Sequence, residues 1–167
     1  MNQLHGMHTI NMQEKIFEKT DYPNSAVIHF DFHRCTGCKV CELMCSFHHH
    51  DFFSTSFSRI HIFNDIFFGH NKAHFCLQCT TPQCLIACPN KAIYINETTG
   101  AKIIDTEKCD ACGRCADACP FNRERFILRI SPNKQNYIKC DLCNGSPQCV
   151  EWCAPKALSY LKRGRQN

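Results

Sequence analysis

Long apolar runs are missing from this 167-residue chain, and no stretch approaches the roughly 18 apolar residues that cross a bilayer. Direct membrane insertion is therefore not expected. Glycine is scarce, at seven residues, and no GxGxxG or other phosphate-cradling loop occurs, which removes the signature of a flavin or nicotinamide site. No nucleophile–base constellation is present either. Met1 to Thr20 is polar, with no apolar core behind a basic start and no twin-arginine pair. It does not read as an export signal, so the expected compartment is the reducing cytoplasm. Nineteen Lys and Arg give a formal charge of +4, but they are scattered apart from Lys162, Arg163 and Arg165. A solvated or partner-facing tail is expected there, and no nucleic-acid partner. Even the apolar core is lean. The 44% hydrophobic content includes cysteine; without it roughly a third of the chain remains, which is marginal at this size.

What is present in excess is sulfur. Sixteen of the 167 residues are cysteine, a fraction at which metal or disulfide cross-links become part of a fold. In a reducing compartment metal ligation is the expected use. The cysteines fall into four groups of four: Cys35, Cys38, Cys41, Cys45; Cys76, Cys79, Cys84, Cys88; Cys109, Cys112, Cys115, Cys119; and Cys140, Cys143, Cys149, Cys153. The gaps are 2, 2, 3; then 2, 4, 3; then 2, 2, 3; then 2, 5, 3, an internal repeat that sets the architecture.

Short runs of strand-forming residues frame these groups. Ala92 to Ile95 and Lys102 to Asp105 flank a turn through Asn96 to Gly100 and predict a hairpin. Phe126 to Ile130 and Tyr137 to Ile138 predict a second. Ala26 to Phe30 and Ala157 to Tyr160 supply outer strands. The interval from Ser46 to Phe75 reads as an irregular insertion that covers a cluster or meets a partner, with a strand at Arg59 to Phe63.

Three cysteines at gaps of two and two can direct three thiolates at one face of a cubane, and the fourth of such a run reaches a different cluster. Four runs supply ligands for four 4Fe-4S clusters with none left over. Structural zinc, the alternative, uses two CxxC knuckles separated by a longer stretch; a third cysteine after a further two-residue gap, at Cys41 and Cys115, fits a cubane better. Pro89 and Pro120 follow the fourth ligands Cys88 and Cys119 and turn the chain away. Ser46, and Ala154 before Pro155, stand at that place in the other two groups.

On these cysteines the chain resembles, over residues 26 to 161, the four-cluster ferredoxin-like electron-transfer subunits of tungsten and molybdenum oxidoreductases. Cys35-Thr36-Gly37-Cys38, Cys41-Glu42-Leu43-Met44-Cys45-Ser46-Phe47-His48-His49, Ser58-Arg59-Ile60, Lys139-Cys140-Asp141-Leu142-Cys143 and Pro147-Gln148-Cys149-Val150 are most similar to small subunits of the aldehyde oxidoreductase family of tungsten enzymes. That family includes a benzoyl-CoA reductase of anaerobic bacteria. The resemblance implies that outer groups pair with each other and inner groups with each other. One cluster then takes Cys35, Cys38, Cys41 and Cys153, and its neighbour Cys140, Cys143, Cys149 and Cys45. The inner pair takes Cys76, Cys79, Cys84 with Cys119, and Cys109, Cys112, Cys115 with Cys88.

The expected fold is α+β, two fused ferredoxin-like dicluster units of short strands and short helices. Residues 1–25 form an arm, 26–75 and 120–161 the outer unit with its insertion at 46–75, 76–119 the inner unit, and 162–167 a basic tail. The expected function is one-electron relay between a large tungsten- or molybdenum-pterin catalytic subunit and a second redox partner, a flavin-containing NAD-reducing subunit or a ferredoxin. The isolated chain is not expected to be an enzyme, and a hetero-oligomer is expected. Subunits of formate dehydrogenases and hydrogenases share much of the pattern, and a free polyferredoxin or a cluster carrier is the reading from another class.

Sixteen thiolates against four cores of roughly 2+ each contribute about −8, which turns the formal +4 into about −4. The scattered cations then offset cluster charge. Burial behind Phe32, Phe47, Phe75 and Phe121 should lower potentials, while amide donors should raise them. The His48-His49-His50 run is expected in a solvated or interface loop, and Trp152 packed against the cluster beside Cys153. His5 and His8 belong to the expected arm.

Overall fold

The computed structural model describes residues 25–162 apart from positions 66 and 68. The expected arm with His5 and His8, except its last residue Ser25, and Arg163 and Arg165 of the tail lie outside the described residues. Strand β1 (Val27–Phe30) and strand β8 (Leu158–Leu161) come from opposite ends of this span, yet pair antiparallel with Val27 opposite Leu161 and Phe30 opposite Leu158. Val27, Ile28, Phe30 and Leu158 are buried, so apolar burial drives this long-range closure.

Three hairpins follow in chain order: β2 (His61–Asp65) with β3 (His70–His74), β4 (Ile93–Ile95) with β5 (Lys102–Ile104), and β6 (Arg129–Ile130) with β7 (Tyr137–Ile138). The last two lie within or beside the segments predicted from sequence. The β4–β5 turn is built by Asn96, whose Oδ1 accepts from the Thr98 and Thr99 amides at 3.0 and 2.9 Å. This is the local side-chain mimicry that favours Asn in turns. The Thr99 carbonyl then accepts from the Ala26 amide at 3.0 Å, tying the start of β1 to the inner hairpin.

The segment expected to be irregular after Ser46 is in part regular. Helix α1 (Val40–His50) runs on past Cys45, and Asp51 in the left-handed conformation caps its end. Its buried positions Cys41, Glu42, Cys45 and Ser46 form a stripe at helical spacing, packed against α4 (Gln148–Glu151). This explains why Ser46 stands where two other groups carry proline: proline inside a helix loses a hydrogen bond and clashes with the preceding turn. Ser46 is wholly buried, and its hydroxyl donates to the Phe52 carbonyl at 2.7 Å while accepting from the Ser54 amide at 3.0 Å. The shorter helices α2 (Gln83–Ile86) and α3 (Arg114–Ala118) pack on each other in the inner region.

Eight cysteines are built into the core. Cys41, Cys45, Cys76, Cys140, Cys149 and Cys153 lie in one buried cluster with Ile28, Phe30, Ile60 and Leu158. Cys84 and Cys115 lie in a second with Ile93 and Leu128. The lean apolar composition is thus completed by thiols pointing inward.

Candidate iron–sulfur centres

All sixteen cysteines are free thiols, and the residue before the second cysteine of each group has positive φ: Gly37 (70°), Gln78 (52°), Ala111 (58°) and Leu142 (64°). Such left-handed residues reverse the chain and turn successive amides toward one point, a concavity suited to an anionic group. Glycine takes this conformation freely, and at Gly37 it is needed twice over, since a Cβ would come within 2.8 Å of Asn64 Nδ2. The other three residues accept a strained backbone that the surrounding structure must hold.

A second repeated device closes the groups ending in Cys88 and Cys153. Lys91 and Lys156 have φ of 50° and 54°, and the next amides, of Ala92 and Ala157, each donate to the cysteine Sγ at 3.2 Å. Arg59 N donates to Cys45 Sγ at 3.3 Å and Tyr137 N to Cys109 Sγ at 3.5 Å. Amide donors to sulfur are the contacts that tune an iron–sulfur site.

Electrostatic contact shows which sulfurs share a neighbourhood. Burial raises the Cys35 thiol, the Gly37 amide opposes it, and Cys153 and Cys38 raise it further; burial, Glu42, Cys153, Cys35 and Cys38 push Cys41 up to about 12. Burial takes Cys149 well above the ordinary thiol range, with Cys140, Cys45 and Cys143 adding repulsion. Burial, then Cys76, Cys119 and Cys84, push Cys79 up to about 11. Burial, then Cys109, Cys84, Cys88 and Cys112, push Cys115 up to about 12. Each neighbourhood therefore draws thiols from two sequence groups.

Two of the neighbourhoods enclose space. Cys76, Cys79, Cys84 and Cys119 line a cavity of about 260 Å³ with Lys102, Phe121 and Leu128. Cys88, Cys109, Cys112 and Cys115 line a smaller one beside Tyr137. Crowded, desolvated thiols resist ionisation unless a cation compensates them. Soft sulfur donors lining a shared pocket fit an iron–sulfur core, which would supply that positive charge.

Several supporting residues escape sequence reasoning. Asp141, held well below the usual carboxylate range despite its burial, takes a bond from Arg59 Nη1 at 2.5 Å and lies 3.4 Å from His49 Nε2. His49 in turn approaches Cys143 Sγ at 3.9 Å. The histidine run is therefore the last turn of α1 and not a loop, and of the three only His48 is exposed. Gln78, wholly buried, donates to the Cys140 carbonyl and accepts from the Lys102 amide, both at 2.8 Å. Its place before Cys79, matching Gly37 before Cys38, was the only signal for it in the sequence. Two aromatic expectations fail. Trp152 is 52% exposed, its indole donating to Gln148 Oε1, and Phe47 is 41% exposed, stacked on Phe53 at 4.8 Å. Phe47 sits on the outward side of α1 and Trp152 at the C-terminal cap of α4. Phe75 is buried, at 1% exposure, and Phe32 and Phe121 are partly buried against the main core.

The model of the 4Fe-4S dicluster domain matches residues 68–163. The chain belongs to that family. The polyferredoxin-like subunit of an aliphatic sulfonate oxidoreductase from Pyrococcus furiosus is 42% identical to this dicluster protein over 129 residues, covering 77% of the chain and 72% of the relative. One polypeptide of the anaerobic dimethyl sulfoxide reductase of Escherichia coli K12 is 30% identical over 148 residues, covering 78% and 70%. Among solved structures, a polypeptide of the active site complex BamBC of benzoyl coenzyme A reductase in complex with zinc is 25% identical, with a TM-score of 0.53, covering 87% of this chain and 83% of that one. The same complex as isolated gives 26% and a TM-score of 0.51, covering 84% and 78%.

Proposed function

We propose that this chain is the electron-transfer subunit of an oxidoreductase complex and holds four 4Fe-4S clusters in a row. Each cluster, when bound, takes up and gives back one electron at a time. Cys35, Cys38, Cys41 and Cys153 would hold the first, and Cys140, Cys143, Cys149 and Cys45 the second. Cys76, Cys79, Cys84 and Cys119 would hold the third, and Cys109, Cys112, Cys115 and Cys88 the fourth. The observation that carries this reading is that Cys76, Cys79, Cys84 and Cys119 line one cavity and Cys88, Cys109, Cys112 and Cys115 another, and the electrostatic influence of each set on the next supports a row. Cys149 feels Cys41 from the first set, Cys140 feels Cys76 from the third, and Cys115 feels Cys84 across the remaining step. Cys38 and Cys112, the two exposed cysteines, belong to the two ends of this row.

The chain's residues perform the conductor's work. Buried Ile28, Ile60, Leu128 and Leu142 exclude water from the sulfurs. The amides of Arg59, Ala92, Tyr137 and Ala157 fix sulfur orientation. The exposed ends meet partners. The catalytic partner is a tungsten- or molybdenum-pterin subunit, a reading supported by motif resemblance and by relatives that are parts of sulfonate, sulfoxide and benzoyl-CoA oxidoreductases. The second partner is a flavin-containing NAD-reducing subunit or a ferredoxin, and the complex works in the cytoplasm. Among the described residues no helix is long and apolar enough to cross a membrane.

Anaerobic purification from the native host tests this. Roughly sixteen iron atoms and as many labile sulfides per chain are expected, with a large pterin-containing subunit co-eluting. Half that iron with stoichiometric zinc overturns the cluster count. Elution as a lone 19.3 kDa species with full iron overturns the complex and leaves a free polyferredoxin.

A further inference from the structure

A buried cation lies where the second and third thiol sets meet. Lys139, directly before Cys140, is only 2% exposed. Its Nζ donates to the main-chain carbonyls of Lys102 and Cys140, the latter at 3.0 Å. An ammonium carries three donors and no acceptor. Both of these acceptors are neutral, and among the described residues no ion pair joins Lys139 to a carboxylate. A charge so placed is costly unless something anionic faces it.

An anionic cluster in the adjoining cavity would supply that counter-charge. Lys102, whose carbonyl Lys139 holds, lines the cavity shared by Cys76, Cys79, Cys84 and Cys119. Gln78 donates to the same Cys140 carbonyl from the loop between Cys76 and Cys79, so the ammonium is pinned relative to the third set. We propose that Lys139 is a positioning residue whose fixed positive charge raises the reduction potential of the cluster held by Cys76, Cys79, Cys84 and Cys119. This rests on the reading that those four sulfurs hold a 4Fe-4S cluster. Reduction adds one electron to the cluster, and a nearby cation stabilises the more negative, reduced form. In a desolvated interior that interaction is weakly screened.

The test is an EPR-monitored redox titration of the complex carrying Lys139→Gln, which keeps donors but removes the charge, beside Lys139→Arg, which keeps it. In the glutamine variant the reduced-to-oxidised ratio of one cluster should fall about tenfold at fixed poise, ~59 mV for one electron. That cluster should be the one whose signal changes in Cys119→Ser, while the other three and the arginine variant stay within about threefold of wild type. The proposal is overturned if a fully loaded glutamine variant titrates like wild type, if all four clusters move together, or if arginine shifts the cluster as far as glutamine. Iron retained by arginine but lost from both the glutamine and a Lys139→Met variant supports it, because charge is then required to hold the thiolates. Iron lost from all three overturns it. A wild-type chain holding much less than sixteen iron refutes the cluster reading itself before any potential is compared.

Discussion

The outer and inner pairs of thiol sets use one motif and solve different assembly problems. The inner pair draws on neighbouring groups, Cys76 to Cys88 and Cys109 to Cys119, with only the β4–β5 hairpin between them. The outer pair must bring Cys41 to Cys153, from opposite ends of the described chain, into one neighbourhood. Loop-closure entropy separates the two tasks by on the order of 1.5 kcal/mol, because the cost grows only with the logarithm of length. Burial of one Leu or Phe side chain offsets about that much. The β1–β8 ladder, with Phe30 opposite Leu158 and both buried, is therefore sufficient to close the outer half. Long-range topology is inexpensive here once a few apolar residues meet.

The sharpest way to break this contrast is to open the ladder. Leu158→Asp places a carboxylate at a position 3% exposed, opposite Phe30, at a cost on the order of 3–5 kcal/mol. Iron content should fall from roughly sixteen to roughly eight per chain, with the EPR signals of the inner pair preserved. Loss of all four clusters at once would show that the halves do not assemble separately.

Next in size is the crossing of ligands within the inner pair. Cys84→Ser and Cys119→Ser should perturb one cluster, and Cys88→Ser its neighbour. Cys119 lines the same cavity as Cys76, Cys79 and Cys84, and Cys88 the same one as Cys109, Cys112 and Cys115. Identical spectra for Cys84→Ser and Cys88→Ser, distinct from Cys119→Ser, would refute the crossing.

The outer half also carries a partly buried ion network, whereas the ion pairs beside the inner sets, Lys108–Asp105 and Arg125–Asp117, lie nearer the surface. Arg59, Asp141 and His49 surround the sulfurs of Cys45 and Cys143. Asp141→Asn removes the negative charge of the 2.5 Å pair and leaves Arg59, whose Nε already lacks a hydrogen-bond partner, with a partly buried uncompensated charge. A loss of about 2–3 kcal/mol is expected, read as a lower anaerobic Tm. Only the cluster assigned to Cys45, Cys140, Cys143 and Cys149 should change its EPR signal. An unchanged Tm would mean the pair is surface decoration.

The difference between the halves also explains what could be read from sequence. The hairpin at 93–104 was legible because its strand and turn signals are local. The β1–β8 strands were legible as strands, while their pairing followed only from the expectation of an outer unit built from both chain ends. Helix α1 beyond Cys45 was not legible: the cysteine motif suggested a short turn, and the buried hydroxyl of Ser46 that organises the following loop is visible only in three dimensions. Trp152 and Phe47 were misplaced because adjacency to a cysteine says nothing about which side of a short helix faces the cluster. Lys139 and Gln78 gave no local sign of burial; their environment is made by a segment far along the chain.

The smallest effect compares one inner group with one outer group. Ala111 and Gly37 occupy equivalent places before the second cysteine of their groups, at φ of 58° and 70°, yet only the outer group uses glycine. An L-residue with a Cβ pays roughly 1–2 kcal/mol for that conformation, partly offset because glycine is freer in the unfolded chain. Ala111→Gly should therefore raise anaerobic stability by up to about 1 kcal/mol, with iron content unchanged. The reverse change in the outer half, Gly37→Ala, should destabilise, since the new methyl meets Asn64 and Asn71. Equal effects of one sign at the two positions would show that backbone strain at Ala111 and crowding at Gly37 are not what separates these two groups.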